Sequence, residues 1–283
     1  IKYWGYNLGD YEFGVDNRIV NIDEQTKTIY PNLSSIKGFG EGVAETLYQL
    51  GNQNYDTFVD VLSALYSNSI NKTVAQKLIK INYFKKYGTI NQLLNIAQYY
   101  DVIHGSKQIS KVKAAQNNIP FDLLREYGHE TEKQFNKIDS EKLLFTIIAT
   151  IPPVTLSLKE KLDNQREILG MVNIVKPEIS KRLYYVLDLE VKKTVVNIIL
   201  YEIFSGKTRE VKMWTSQYYK NVFEAGAILY ISAPQKKNKK EPTGEINPIT
   251  GKKIYAEVPD KFEYWLEKYI VKNDIEEGDE DAE

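Results

Sequence analysis

The segment Ser35-Ile36-Lys37-Gly38-Phe39-Gly40-Glu41-Gly42-Val43-Ala44-Glu45-Thr46-Leu47 reads as two helices joined by a tight glycine-rich bend, a helix-hairpin-helix. Ile36 and Leu47 are its apolar anchors, one on each helix. Gly38 and Gly40 sit in the bend, where the missing Cβ permits a positive φ and lets another backbone come close. The amides that open the second helix then face outward at the positive end of its dipole. Gly38, Gly40 and Gly42, with Lys37 beside them, make a site that receives a phosphate without reading base sequence. The bland alternative is a helix joint with glycine at its C-cap. A dinucleotide-binding loop fits less well, because no buried strand precedes Gly38 and no βαβ pattern follows.

The flanks extend this reading. Residues 1–33 look extended: Tyr11-Glu12-Phe13-Gly14-Val15 and Arg18-Ile19-Val20-Asn21-Ile22 alternate about an Asp16-Asn17 turn, and Thr28-Ile29-Tyr30 is a further strand. Residues 34–90 read as a helical, tandem hairpin region. Within it, Val74, Leu78 and Ile81 share a helix face, while Lys72, Lys77 and Lys80 lie off that face and add charge near the bend. The glycine-free turn Ile81-Asn82-Tyr83-Phe84 fits a degenerate second hairpin. Residues 91–180 read as mostly helical, with Gly170 closing the last helix.

The periodicity then changes. Strands are expected over 183–191, 194–204 and 209–214, a short helix over 215–224, then strands over 227–232 and 252–258. Three strands, a helix and two strands is the order of an OB-fold, a five-stranded Greek-key barrel that binds single strands on its strand 2–3 face. A C-terminal helix is expected to complete this domain, 181–272. The fold class is therefore α+β and multidomain: a helical helix-hairpin-helix region followed by an OB-fold barrel. Alternation places Asn197, Ile199 and Tyr201 outward on strand 2, and Lys212 and Trp214 outward on strand 3. An aromatic beside a lysine suits base stacking with phosphate attraction; Trp214 and Tyr201 equally suit a plug at the barrel end. Lys236, Lys237, Lys239 and Lys240 fall in a polar loop over 235–251 and are further DNA-contact candidates, or else a solvated run.

Charge supports a nucleic-acid partner. The formal net charge is -1, but Asp274, Glu276, Glu277, Asp279, Glu280, Asp281 and Glu283 crowd the last eleven residues. With those seven set aside, 37 basic residues face 31 acidic ones, a net of +6. The 273–283 tail reads as a disordered, solvated end. The absence of cysteine excludes disulfides and thiolate-bound zinc. The two histidines, His104 and His129, have no metal-site partners in the pattern, so no metal site is expected. No signal peptide or bilayer-length apolar run is present, which points to a cytoplasmic setting without a membrane partner. No catalytic group is found: Asp188-Leu189-Glu190 stands isolated, and there is no phosphate-cradling Gly-x-x-x-x-Gly-Lys loop or framed nucleophilic serine.

In this order, Tyr6 to Val15, Asn32 to Gly42, Ile70 to Lys80, Gln165-Arg166-Glu167-Ile168-Leu169-Gly170 and the strands of 183–258 resemble the C-terminal half of the bacterial and phage DNA polymerase III alpha subunit, the C-family replicative polymerase. The resemblance implies an end-of-fingers segment (1–33), tandem hairpins on duplex DNA (34–90), a clamp-proximal connecting region (91–180) and an OB domain on template single strand. It implies primer-template DNA, single-stranded DNA, a sliding clamp and the rest of the polymerase as partners. Gln116, Ile119 and Phe121 lie where that family carries its clamp-binding peptide. No catalysis is implied here, because the family's metal-binding aspartates belong to a palm that this chain does not match. No cofactor is expected in this chain, and Mg2+ only at that palm. After Gly170 the family's His-Pro pair is replaced by Met171-Val172-Asn173-Ile174. A standalone hairpin-and-barrel adaptor and a protein-interaction scaffold are the alternative readings.

Overall fold

A computed structural model of the chain describes residues 7–232 and 234–272. They fall into two compact units, Ile1–Leu156 and Ser157–Glu283. The acidic segment 273–283 lies outside the described residues.

The first unit opens with strands β1 (Asn7–Leu8), β2 (Asn21–Asp23) and β3 (Thr28–Tyr30) in the order β1-β3-β2. The expected hairpin is shifted: β2 pairs with β3, and the 11–15 segment is not a strand. Its aromatic alternation serves packing instead. Tyr11 and Phe13 are buried, and the Phe13 ring lies 5.3 Å from Phe84 and 5.8 Å from Tyr83. Helices α1 (Glu41–Gly51), α2 (Phe58–Ser67), α3 (Lys72–Lys80) and α4 (Ile90–Ile103) follow. A Thr57–Asp60 capping box starts α2, and Asn71 and Thr89 cap α3 and α4. Their apolar faces meet in a core that includes Leu47, Leu62, Leu65, Leu78, Phe84 and Leu93. Each such side chain contributes about 1.5–3 kcal/mol of hydrophobic burial.

The remainder of this unit departs from the helical expectation. Strands β4 (Gln108–Ser110), β5 (His129–Glu130) and β6 (Gln134–Asn136) form a second small sheet, ordered β4-β6-β5. Helices α5 (Lys111–Gln116) and α6 (Phe121–Glu126) lie between β4 and β5 in sequence, and α7 (Ser140–Ile148) follows β6. Two- and three-residue strands carry too little alternation to register in sequence.

The second unit starts with α8 (Leu158–Leu169), capped by a Ser157–Glu160 box and closed by Gly170 at φ +67° as expected. Strands β7 (Leu183–Val191), β8 (Val195–Glu202) and β9 (Lys207–Trp214) form an antiparallel meander. Helix α9 (Thr215–Tyr218) is shorter than expected, and β10 (Ile228–Tyr230) pairs with β7. Two corrections follow. The polar loop over 235–251 is largely a strand, β11 (Gln235–Ile246), paired with the long β12 (Lys253–Trp265). The C-terminal helix is replaced by β13 (Ile270–Lys272), and no helix follows α9 among the described residues. The result is a seven-stranded mixed sheet, β11-β12-β9-β8-β7-β10-β13, with no closed barrel. One sheet face buries Val186, Val196, Ile198, Leu200, Val211 and Met213 against Tyr218 and Phe223. A second cluster packs Leu162 of α8 with Leu183, Tyr185 and Tyr201.

Candidate nucleic-acid interface

At the first bend the anchors and the surface separate cleanly. Leu33, Ile36, Phe39, Ala44 and Leu47 are buried, while Lys37, Gly38, Gly40, Glu41 and Gly42 are exposed. The leading helix is only a 3-10 turn, Leu33–Ser35, capped by Asn32, which accepts a hydrogen bond from the Ser35 amide. Gly38 has φ +89°, a backbone that a side chain would strain. Gly40 is the N-cap of α1 and has no side chain to cap it, so no side-chain hydrogen bond covers the amides of Glu41 and Gly42. A Cβ at Gly40 or Gly42 would meet nothing within 4 Å. The bend is thus an open cradle of main-chain donors at a helix start.

Lys77, on α3, completes it. Its ammonium donates to the Lys37 carbonyl at 3.0 Å and stands where a Gly38 Cβ would meet it at 3.4 Å. Lys77 and Lys37 therefore bring two cations to the bend. Glu41, exposed in the first helical turn, complements the helix dipole and opposes an incoming anion. Lys72 is occupied elsewhere, with its ammonium 2.8 Å from the carboxylate of Asp101. Lys80 is half-buried in the last turn of α3.

A second bend of the same design lies between α2 and α3. Ser69 (φ +66°) stands where Gly38 stands, Ile70 matches Phe39 in burial, and Asn71 matches Gly40 as N-cap. Val74, Ala75 and Leu78 repeat Val43, Ala44 and Leu47 at a fixed offset of 31 residues. Self-comparison at that offset is the signal that finds it. The expected second hairpin at 81–84 is corrected: Ile81, Tyr83 and Phe84 are buried there, and Asn82 at φ +63° turns the chain toward α4.

In the second unit the expected sites divide. Alternation on β8 holds as far as Leu200, but Tyr201 is 3% exposed rather than outward. Its hydroxyl donates to the Ile174 carbonyl at 2.8 Å, and burial pushes that hydroxyl's pKa up to about 12. Tyr201 is therefore a packing residue. Trp214 is half exposed, its ring 4.6 Å from that of Trp265. Lys212 is ion-paired to Glu263, which lowers the carboxyl's pKa against the opposing effect of its burial. The four lysines of β11 are mostly engaged: Lys237 with Glu267 (2.9 Å), Lys239 with Glu241 (2.8 Å), Lys240 with Glu257 (3.6 Å), and Lys236 over the Phe262 ring at 3.6 Å. A groove of about 770 Å³ runs over Asn197, Ile199, Arg209, Lys212, Phe262 and Tyr264, with Asp188, Glu190 and Glu210 also lining it.

The three residues expected to form a clamp-binding peptide lie on and between α5 and α6. Gln116 ends α5 and is exposed, but Ile119 is 2% exposed and the Phe121 ring packs 5.4 Å from Phe135 of β6. A docking peptide must offer its apolar side chains to a partner; Ile119 is used inside the fold, whereas Phe121 is half-buried. Among the described residues no helix is long and apolar enough to cross a membrane.

No curated protein matches the chain. A family model described as a helix-hairpin-helix motif matches residues 7–93, the part of the chain that holds both bends. Residues 7–93 therefore carry a helix-hairpin-helix motif, which points to nucleic-acid binding.

Proposed function

We propose that the chain is a sequence-independent DNA-binding module and serves as the non-catalytic C-terminal part of a C-family replicative polymerase. The observation that carries the reading is the first bend: amides at Glu41 and Gly42 without a side-chain cap, in a bend whose Lys37 carbonyl holds the ammonium of Lys77. That combination receives a backbone phosphate through geometry and charge, with no group positioned to read a base. The motif match at residues 7–93 supports it. The finer reading of the second unit is an OB-like single-strand platform. It is supported by the short parallel bridge Trp265–Lys212, which sets β12 beside β9, and by β10 lying against β7. Trp214, half exposed and backed by the buried Trp265, would then offer stacking surface to unpaired bases.

The test is fluorescence anisotropy with the full chain and labelled duplexes of unrelated sequence at several salt concentrations. Affinities should agree within about threefold between sequences, and log K should fall with log salt at a slope of about -3 to -4, as for roughly four phosphate contacts. Lys77→Glu should weaken binding about tenfold or more. Salt-independent or absent binding would overturn the proposal.

A further inference from the structure

The β11–β12 ribbon has a feature that the backbone-clamp reading does not use. Its pairing runs from Gln235 opposite Trp265 out to Ile246 opposite Lys253, and β12 joins the rest of the sheet only at Trp265. Beyond that root the two strands pair only with each other among the described residues. At about 3.3 Å per residue, the span from Lys240 to Ile246 is roughly 20 Å of two-stranded arm.

The tip is organised by hydrogen bonds around Asn247. The Asn247 amide donates to the Lys252 carbonyl (2.8 Å) and the Gly251 amide to the Asn247 carbonyl (2.9 Å). The Asn247 side-chain oxygen accepts from the amides of Ile249 (2.9 Å) and Thr250 (3.0 Å). This network holds Pro248 and Ile249 outward, and Ile249 is 93% exposed. Ile246 (63%) and Tyr255 (57%) continue the apolar surface. Charge is graded along the arm. Lys237, Lys239 and Lys240, toward the root, are ion-paired, whereas Lys252 and Lys253 beside the tip are exposed and make no ion pair among the described residues. Glu245 is the acidic residue nearest the tip.

A fixed apolar wedge next to two uncommitted ammonium groups fits one partner well. Proteins that kink duplex DNA push Ile, Pro or similar side chains between base steps from the minor groove, while cations hold the flanking phosphates. We infer that the ribbon tip is a DNA-kinking wedge: Pro248 and Ile249 enter one base step of a duplex from the minor groove, and Lys252 and Lys253 bind the phosphates beside it. The inference rests on the nucleic-acid reading of the chain but uses a different surface.

The test uses the full chain with a 30-bp duplex that carries dyes at both ends and 2-aminopurine at a central pyrimidine–purine step, the kind most easily unstacked. The wild type should bend the duplex by roughly 20–90° and raise the aminopurine fluorescence. The exposed-site double variant Pro248→Ala, Ile249→Ser should abolish both signals while keeping affinity within about threefold, since phosphate contacts supply most of the binding. Lys252→Gln with Lys253→Gln should shrink the salt slope by about 1–2. Duplex binding without bending or unstacking, or unchanged signals in the double variant, would overturn this inference alone. Absence of duplex binding would overturn the DNA-binding proposal as well.

Discussion

Gly38 and Ser69 occupy equivalent positions in the two bends, both with left-handed backbones. For a residue with a Cβ that conformation costs about 1–2 kcal/mol. Gly38→Ala should therefore lower the stability of the chain by about 1 kcal/mol, and Ser69→Gly should raise it by up to about 1 kcal/mol. Urea denaturation of both variants checks the opposite signs, and equal shifts would deny the equivalence. Glu130 gives a second residue-scale measurement. Arg125 Nε at 2.7 Å and Lys111 Nζ at 2.6 Å hold its carboxyl down to about 2, with the Arg125 hydrogen bond the larger cause. A carboxylate with a depressed folded pKa stabilises the fold above its ordinary range, and that contribution is lost as pH falls from about 4.5 toward 2. Arg125→Ala should return the Glu130 midpoint toward its ordinary value, as read from the carboxyl carbon shift by NMR; an unmoved midpoint would contradict the assigned cause.

At the scale of elements, Tyr201 and Trp214 take different roles where strand alternation gave them the same one: Tyr201 is buried and Trp214 half exposed. Tyr201→Phe should cost about 1 kcal/mol through the lost bond to Ile174 and leave single-strand binding unchanged. Trp214→Ala should weaken single-strand binding by about 1–3 kcal/mol if the OB-like reading holds. Isothermal titration with an unstructured oligonucleotide separates the two variants, and a reversed order would refute the assignment. The first bend was legible in sequence because its signals are local: glycines, flanking anchors and a helix start within thirteen residues. Tyr201 was not, because residues of the 172–174 segment, distant in sequence, cover the end of a face otherwise read in correct phase. The contact of the Phe121 ring with Phe135 was hidden for a similar reason, since Phe135 lies fourteen positions downstream. The β11 strand reads as a loop because Pro242 and Gly244 interrupt it and both of its faces are largely exposed, so no hydrophobic alternation marks it. The second bend was legible only by comparing the chain with itself, since serine and asparagine stand in for its glycines.

For the whole molecule, the change from helices to strands read from the sequence falls at residue 181, whereas the chain divides into two compact units after residue 156, so that α8 belongs to the unit that holds the seven-stranded sheet. The proposed grip of the first unit on the DNA backbone runs through main-chain amides, and that grip can be separated from stability. Gly42 lies in the first turn of α1, with nothing within 4 Å of a Cβ placed there. An aspartate at this position favours the helix start through the dipole and through its higher helix propensity than glycine, by about 0.3–1 kcal/mol. The same carboxylate would occupy and repel the phosphate's place. The decisive experiment is duplex binding by Gly42→Asp measured alongside its urea midpoint. Stability equal to or above wild type together with at least tenfold weaker binding is the predicted result; undiminished binding by a folded Gly42→Asp protein would contradict the grip.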